Sequence, residues 1–292
     1  MNQKPERIID AHVHLWDPAK TDWYPYLSGR MEIGMGNVSG MSRRFDADIY
    51  KQEAKDWNVI ALVNVAAATG VNSVQETLHL NEVANQTGHP AAIIGGLPPS
   101  SSIAEAIAFI DTQMQAARFR GVRPMGQNAP VLPADEVLAA LADRGLVFEL
   151  MAHPPQLAEA AKRLESHPQL NVVVEHTGWP RSSDPDEHAL WESGIAALAD
   201  VGPKVSCKIS GLAMPLGSMS ATAFAPWVNV AIETFGTNRC MFASNFPVDG
   251  MHGTLDALWS AFSDLTQEFA HSDKDALFAG VAERVYSLET KA

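Results

Sequence analysis

The chain has 292 residues, 46% of them hydrophobic, and a formal net charge of −13 from 34 acidic and 21 basic residues. Nucleic acids and anionic membranes are polyanions, so a chain this acidic is not expected to bind either of them. The length and hydrophobic content are sufficient for one large buried core. They also match the roughly 250 residues that an α/β barrel uses as a single domain.

Short apolar segments rich in Val, Ile and Leu alternate with helical patterns along the chain. Eight segments are predicted to be strands: 7–12, 59–65, 91–97, 119–124, 146–151, 171–177, 204–210 and 239–245. The predicted helices cover 46–57, 72–87, 103–117, 133–144, 155–166, 187–200, 224–235, 254–269 and 273–288. This alternation predicts a (β/α)8 TIM barrel, formed by residues 1–292 as a single domain with a lid-like loop at about 15–45. The alternative, a doubly wound sheet, would need a Gly-rich phosphate turn, and no G-x-G-x-x-G follows the first strand.

Features that report on the cellular compartment are few. Cys207 and Cys240 fall in predicted strands and are expected to be buried free thiols. The N-terminal string "MNQKPERIIDAH" has no apolar signal segment. The uncharged stretch 210–232 is interrupted by Gly and Pro, and it is too rich in Ser and Thr for a membrane span. We therefore expect a soluble cytoplasmic protein, and we leave open whether it forms a homo-oligomer.

Histidines mark the ends of two predicted strands, where a TIM barrel keeps its active site. Asp10, His12 and His14 alternate along strand 1, so all three are predicted to point toward the barrel axis. His176 ends strand 6, whose even-numbered residues would then face the same axis. Three converging imidazoles suit Zn²⁺, Mn²⁺ or a similar divalent ion with an open position for water. We therefore predict a metal site at His12, His14 and His176.

Charged residues mark the ends of three further strands. Arg123 ends strand 4 and Lys208 lies on strand 7. A cation inside a barrel needs an anion, so both are predicted to bind an anionic or hydroxylated substrate. The alternative for Lys208 is a structural ion pair with a buried carboxylate such as Asp10 on strand 1 or Glu149 on strand 5. His153, just after strand 5, either contacts the substrate or faces solvent.

Aromatic residues crowd the long loop after strand 1: Trp16, Trp23, Tyr24 and Tyr26. Loops of this length in compact domains are commonly functional, and the cluster could cover a small ring-shaped substrate. Trp16 is the predicted substrate contact within it. The alternative is that the cluster only packs on the barrel mouth. Trp179, after strand 6, is predicted to form another wall of the pocket.

The strings "DAHVHLWDP", "GVRPM", "VVVEHTGWP", "KISGL" and "RCMFASNFPVD" together resemble the amidohydrolase superfamily. The resemblance is to its lactonase branch, which includes L-fuconolactonase, L-rhamnonolactonase and 2-pyrone-4,6-dicarboxylate lactonase. It implies a TIM barrel with the metal site at His12, His14 and His176. It also implies that Arg123 binds a substrate carboxylate or the lactone carbonyl. Some members of the branch act without a metal, which would make the histidines direct hydrogen-bond donors to the substrate.

One position departs from the pattern of that superfamily. Its hydrolases typically carry Asp at the end of strand 8, where it deprotonates the attacking water, but this chain has Asn245 in "ASNFP". An amide cannot accept a proton at neutral pH. Either another group is the base or the chemistry differs: Asp249, in the same loop, is the nearest carboxylate in sequence, and Glu149 and His153 of strand 5 are other candidates. The candidate catalytic residues are therefore His176, Asn245 and Asp249.

These observations predict a hydrolase that opens a small lactone by attack of water at the barrel mouth. The substrate would be a sugar lactone or a carboxylated ring lactone, and the cofactor a divalent metal, zinc or manganese. Two alternatives stay open. One is a metal-assisted decarboxylase or hydratase of the same superfamily. The other is a barrel that binds a small ligand without turnover, which the missing Asp on strand 8 favours.

Overall fold

Eight parallel strands form one sheet in the order β1 to β8. The structure is a computed structural model that describes residues 4–29, 38–124, 131–182 and 184–289. The strands are β1 (Ile8–Val13), β2 (Val59–Val65), β3 (Ala92–Leu97), β4 (Phe119–Pro124), β5 (Val147–Leu150), β6 (Asn171–Val174), β7 (Val205–Ile209) and β8 (Cys240–Phe242). A parallel bridge between Val13 and Phe246 joins the two ends of the sheet. The predicted TIM barrel is confirmed.

Helices follow each strand and form the outer layer. They are α1 (Ala47–Glu53), α2 (Asn72–Thr87), α3 (Ile103–Gln113), α4 (Asp135–Asp143), α5 (Pro154–Leu164), α6 (Pro185–Asp200), α7 (Ala213–Leu216), α8 (Ala221–Phe235), α9 (Leu255–Leu265), α10 (His271–Asp275) and α11 (Val281–Val285). Asp46, Ser102 and Thr254 cap α1, α3 and α9 by accepting backbone N–H bonds. The single helix predicted over 273–288 is instead α10, a π-helical turn at Ala276–Gly280, and α11.

Two separate apolar clusters pack the inside and the outside of the barrel. The outer cluster joins one face of the strands to the helices. The inner cluster is made of small and branched side chains, and Tyr286 and Val281 from the C-terminal segment pack into it. On β4, a Cβ at Gly121 would lie 2.1 Å from the carbonyl oxygen of Val147, so only glycine fits there. The small inner residues leave room for the longer polar side chains at the barrel mouth.

The two cysteines are free and buried, as predicted. Cys207 on β7 lies opposite Cys240 on β8 in the outer face of the sheet. Among the described residues, none of the helices has both the length and the hydropathy that crossing a bilayer demands.

Between Asp10 and Val13, strand β1 contains one residue more than the matching part of β2, after an opposite shift between Ile8 and Ile9. Asp10 lies opposite Leu62 and Val13 lies opposite Asn64, so three steps along β1 match two along β2. A bulge of this kind shifts the alternation of side chains by one position. The regular alternation that predicted one shared face for the three polar residues of strand 1 is therefore interrupted.

Asp10 is the residue whose predicted orientation is wrong. Its carboxylate accepts hydrogen bonds from the hydroxyl of Tyr50 on α1, at 2.7 Å, and from the backbone N–H of Ser244, at 2.8 Å. Burial raises the pKa of Asp10 to about 6, although these donors oppose the rise. Asp10 therefore connects β1 to β8 and to the outer helix, while His12 and His14 face the mouth.

Candidate active site

The imidazoles of His12, His14 and His176 lie together at the carboxyl end of the barrel. The Nε2 atoms of His12 and His14 are 3.2 Å apart, and the ring centroids of His12 and His176 are 4.6 Å apart. None of the three side chains is more than 5% exposed. Burial lowers the pKa of all three, and with the charge of Arg123 it lowers that of His176 to about 3. The rings are therefore neutral near pH 7, the form that binds metal ions.

The Nδ1 atom of each ring faces a group of the protein. His14 Nδ1 lies 2.8 Å from the carbonyl oxygen of Val65, which can only accept, so this nitrogen carries the proton. His176 Nδ1 lies 3.0 Å from the hydroxyl of Ser210. His12 Nδ1 lies 3.9 Å from Glu175 Oε1. The Nε2 atoms of His12 and His14 therefore face each other within hydrogen-bond distance.

His176 reaches this centre by a route that the sequence pattern did not predict. Strand β6 ends at Val174, and a 3-10 turn follows in which His176 has φ 50° and Thr177 has φ 57°. The inner face of β6 carries Val173, so the prediction that even-numbered residues face the axis is wrong. The left-handed turn brings the ring inward, against Gly211. A Cβ at Gly211 would lie 2.6 Å from His176 Nδ1.

An ion pair lies in the barrel interior near the histidines. Lys208 Nζ is 2.7 and 2.6 Å from the two carboxylate oxygens of Glu149. The hydroxyl of Tyr286 also donates to Glu149 Oε1, at 2.6 Å. Burial raises the pKa of Glu149 above its ordinary value, and the charge of Lys208 opposes that rise and favours the ionised carboxylate. The ion pair considered as the alternative for Lys208 is thus present, and Tyr286 joins it from the C-terminal segment.

A second buried pair joins Arg123 to Glu175. Arg123 donates to Glu175 Oε2 at 3.3 Å and to the carbonyl oxygen of Ala66. Burial alone would raise the pKa of Glu175, but the cations Arg123 and Lys208 outweigh it and hold the pKa below its ordinary value. Glu175 was missed because strand 6 was assigned the opposite phase. The signal in the sequence was an acidic residue placed between a run of valines and His176.

Among the described residues, the group whose ligand atoms lie close enough together to hold a metal ion is His12, Glu149 and Glu175, and the three histidines do not form such a group. His12, Glu149 and Glu175 each offer a ligand atom, all within 4.8 Å of one another. Both oxygens of Glu149 already accept from Lys208 or Tyr286, however, and Glu175 accepts from Arg123. His12 and His14 offer two closely spaced Nε2 atoms, and the ring of His176 lies beside that of His12. If both rings carry their protons on Nδ1, the Nε2 lone pairs of His12 and His14 face each other at 3.2 Å and require a cation between them.

The Asn of strand 8 holds the neighbouring carboxylate. Asn245 Nδ2 donates to Asp249 Oδ1 at 2.8 Å, and the N–H of Ala213 donates to Oδ2 at 3.3 Å. The backbone N–H of Asn245 donates to the carbonyl oxygen of His12, which places the pair beside the histidines. Asp249 is 1% exposed, and burial raises its pKa to about 7. A carboxylate with this pKa is suited to general base chemistry near neutrality.

Trp16 lies beside His14. Its ring stacks on that of His14 at 5.5 Å with an interplanar angle of 2°, and its Nε1 donates to Arg43 O at 3.0 Å. The loop is held at its far side by Glu76, which accepts from the hydroxyl of Tyr24 at 2.8 Å. Of the predicted lid, residues 30–37 lie outside the described residues.

Trp179 lies beside His176. The two ring centroids are 5.1 Å apart, and the ring of His153 lies 4.9 Å from that of Trp179 on its other side. His153 Nδ1 is 3.4 Å from Trp179 O. The half-buried His153 therefore adjoins Trp179 rather than the three central histidines.

The structure is a TIM barrel with buried histidines and ion-paired carboxylates at its carboxyl end, and comparisons with known proteins identify its family. The amidohydrolase family model matches residues 9–288. The uncharacterized protein y4mH of Sinorhizobium fredii is 32% identical over 96% of this chain and 98% of its own length. The L-fucono-1,5-lactonase of Burkholderia ambifaria is 27% identical, over 84% of this chain and 82% of its own. The chain belongs to the amidohydrolase family and is a hydrolase.

One solved structure shows the same fold with a metal. An amidohydrolase of Burkholderia multivorans with bound zinc aligns with a TM-score of 0.79 and 24% identity, over 96% of this chain and 99% of that one. The resemblance expected from the sequence strings is confirmed by the family match and by the two relatives.

Proposed function

We propose that the protein opens a small lactone and that its substrate is a neutral, polyhydroxylated sugar lactone. This choice of substrate rests on one observation: both buried cations are already paired with carboxylates of the protein. Arg123 is bound to Glu175, and Lys208 is bound to Glu149. Relatives named as L-fucono-1,5-lactonases support the same substrate class.

A dicarboxylate lactone fits these cations poorly. Its carboxylates would have to displace Glu149 or Glu175, and each of these is fully buried. A buried carboxylate left without its partner costs several kcal/mol, on the order of 3 to 5. Arg123 Nε, in contrast, is buried without a hydrogen-bond partner in the part of the chain that the structure describes. It is available to donate to a hydroxyl or carbonyl oxygen of a neutral ring.

We propose that His12, His14 and His176 hold a divalent ion, zinc or manganese. Such an ion, when bound, would polarise the lactone carbonyl and lower the pKa of a water molecule. His14 is prepared for this role, since Val65 fixes its proton on Nδ1 and leaves Nε2 unprotonated. The zinc in the Burkholderia multivorans structure supports the choice of metal.

We propose that Asp249 accepts the proton of the attacking water, in place of the Asp usual on strand 8. Asn245 keeps a part in the reaction because its amide holds Asp249 Oδ1. Trp16 and Trp179 form apolar walls suited to the flat faces of a sugar ring, and His153 stands behind Trp179. Lys208 acts through Glu149, and Arg123 is the donor to the substrate.

A panel of lactones tests the substrate class. Metal-free protein is loaded with Zn²⁺ or Mn²⁺, and hydrolysis of sugar 1,4- and 1,5-lactones is compared with that of 2-pyrone-4,6-dicarboxylate by proton release. We expect kcat/KM to be at least about tenfold higher for a sugar lactone, equal to about 1.4 kcal/mol. A preference for the dicarboxylate would refute the substrate class. Ligand stabilisation without any product would instead favour a binding barrel.

A further inference from the structure

We propose that Glu175 is a positioning residue that keeps the proton of His12 on Nδ1 and so turns the Nε2 lone pair toward the other histidines. The consequence for metal affinity rests on the proposed function, whereas the position of the proton does not. Glu175 lies against His12 and Arg123, and its carboxylate also adjoins that of Glu149.

Two buried polar atoms face each other at this point. His12 Nδ1 and Glu175 Oε1 are 3.9 Å apart, and both residues have fully buried side chains. Neither atom has a hydrogen-bond partner in the described part of the chain. Buried polar atoms are nearly always paired, and an unpaired one costs about 1–3 kcal/mol. Closing the gap to hydrogen-bond distance takes a movement of about 1 Å, which would satisfy both atoms at once.

The charge of Glu175 decides which tautomer of His12 is favoured. With the proton on Nε2, His12 would donate to His14 Nε2, but its Nδ1 lone pair would then face a carboxylate in a dry interior. With the proton on Nδ1, the carboxylate accepts it in a charge-assisted hydrogen bond. The second arrangement frees His12 Nε2, which lies 3.2 Å from His14 Nε2. Carboxylates that hold a histidine in this way recur around metal sites.

Glu175 is itself held in place by its surroundings. Arg123 donates to its other oxygen and, at the same time, to the carbonyl oxygen of Ala66 at the end of β2. The preceding carbonyl, that of Val65, accepts from His14 Nδ1. The carbonyl groups at the end of β2 therefore orient both histidines. Val65 holds His14 directly, and Ala66 holds His12 through Arg123 and Glu175. Glu149 is less suited to this role because both its oxygens are occupied.

The Glu175→Gln variant should reverse the tautomer. Arg123 is a donor and will select the amide oxygen, which turns the amide NH₂ toward His12 Nδ1. In metal-free protein labelled with ¹⁵N-histidine, we expect His12 to be Nδ1-protonated in the wild type and Nε2-protonated in Glu175→Gln. The His12 signal is assigned by its loss in His12→Gln. The matched control is Glu76→Gln, which removes another buried carboxylate that is bonded to Tyr24 and to backbone N–H groups.

Zinc affinity measured by chelator competition gives the second readout. We expect Glu175→Gln to weaken binding about 10- to 100-fold, and Glu76→Gln to change it less than about threefold. A wild-type spectrum with His12 protonated on Nε2 would overturn the proposal, even if Glu175→Gln does not fold. So would an unchanged tautomer in a folded Glu175→Gln. A wild type that binds no zinc but shows the tautomer switch would refute the metal centre and uphold the role of Glu175.

Discussion

Asp249 is the residue on which the hydrolytic chemistry depends in our proposal. Its two neutral donors, Asn245 and the N–H of Ala213, offset only part of the cost of burial, so its pKa rises to about 7. In acid the carboxyl is already protonated and cannot take a proton from water. Above neutrality it is ionised and can act as the base. Turnover and folding stability should therefore both change over the pH range in which Asp249 gains or loses its proton.

Asp249→Asn should lower kcat by about 10²- to 10⁴-fold, the usual contribution of a general base, with little change in KM. Initial rates of lactone opening measure both constants. Asn245→Asp is the companion variant, since it restores a carboxylate at the end of strand 8 and should recover part of the activity if introduced together with Asp249→Asn. An unchanged kcat in Asp249→Asn would show that the base is another group.

Folding stability should depend on pH through the same residue. Between the unfolded value of 3.8 and about 7, folded Asp249 keeps a proton that the unfolded chain has released. Stability from this residue is therefore greatest at the acidic side and falls as pH rises, by at most about 1.4 kcal/mol per unit. Urea unfolding at pH 5, 6, 7 and 8 should show a shallower decline for Asp249→Asn. Parallel curves would contradict the buried, proton-holding state.

Residue types alone were enough to find the histidines, because imidazoles at strand ends are unusual in a barrel interior. Glu175 and Tyr286 were not found. The first was assigned to the wrong face of its strand, and the second lies in the C-terminal segment, whose packing inside the barrel no local pattern shows. The pairing of Lys208 with Glu149 was foreseen only as an alternative, since the choice depends on distances across the barrel.

Two irregularities, one in a strand and one just after a strand, determine where the candidate site residues lie. The bulge in β1 separates Asp10 from the histidines, and the left-handed turn after β6 brings in His176. Both break the period-two alternation on which sequence reasoning depends. The strands and most helices were predictable because their apolar periodicity is regular, whereas these departures are stabilised by contacts with neighbouring elements.

Gly211 should be indispensable to the turn that carries His176. Gly211→Ala adds a Cβ about 2.6 Å from His176 Nδ1, at a backbone φ of 68°. We expect a loss of stability of about 2–4 kcal/mol and at least a tenfold loss of zinc affinity as the ring is displaced. Gly217→Ala is the control: φ there is 59°, but nothing lies within 4 Å of the added Cβ. Equal effects on zinc affinity in both variants would contradict the steric role.

The ion pair of Lys208 and Glu149 links β7 to β5 across the barrel interior. Tyr286, from the C-terminal segment, donates to the same carboxylate. The order of strands and helices predicted the TIM barrel, because each unit buries its own apolar strand. That order also located the site, since parallel strands end at one edge. Which carboxylate pairs with Lys208 across the barrel interior could be determined only from the structure.

Lys208→Met should destabilise the fold by about 3–5 kcal/mol, because Glu149 is left buried without a cation. The double variant Lys208→Met/Glu149→Leu should recover most of that loss, as judged by urea unfolding. The activity of the double variant distinguishes a structural role of Lys208 from a role in binding the substrate. Retained kcat/KM indicates a structural ion pair, as we propose, whereas a folded and inactive double variant would show that the ammonium binds substrate.

The position of a bound metal tests directly whether His12, His14 and His176 form the metal site. Crystals of metal-free protein soaked in Zn²⁺ and measured at the zinc edge should show an anomalous peak about 2.0–2.1 Å from the Nε2 atoms of His12, His14 and His176. Glu175 should then lie on the far side of His12, bonded to its Nδ1. A peak among His12, Glu149 and Glu175, or no peak at any of these residues, would contradict the account.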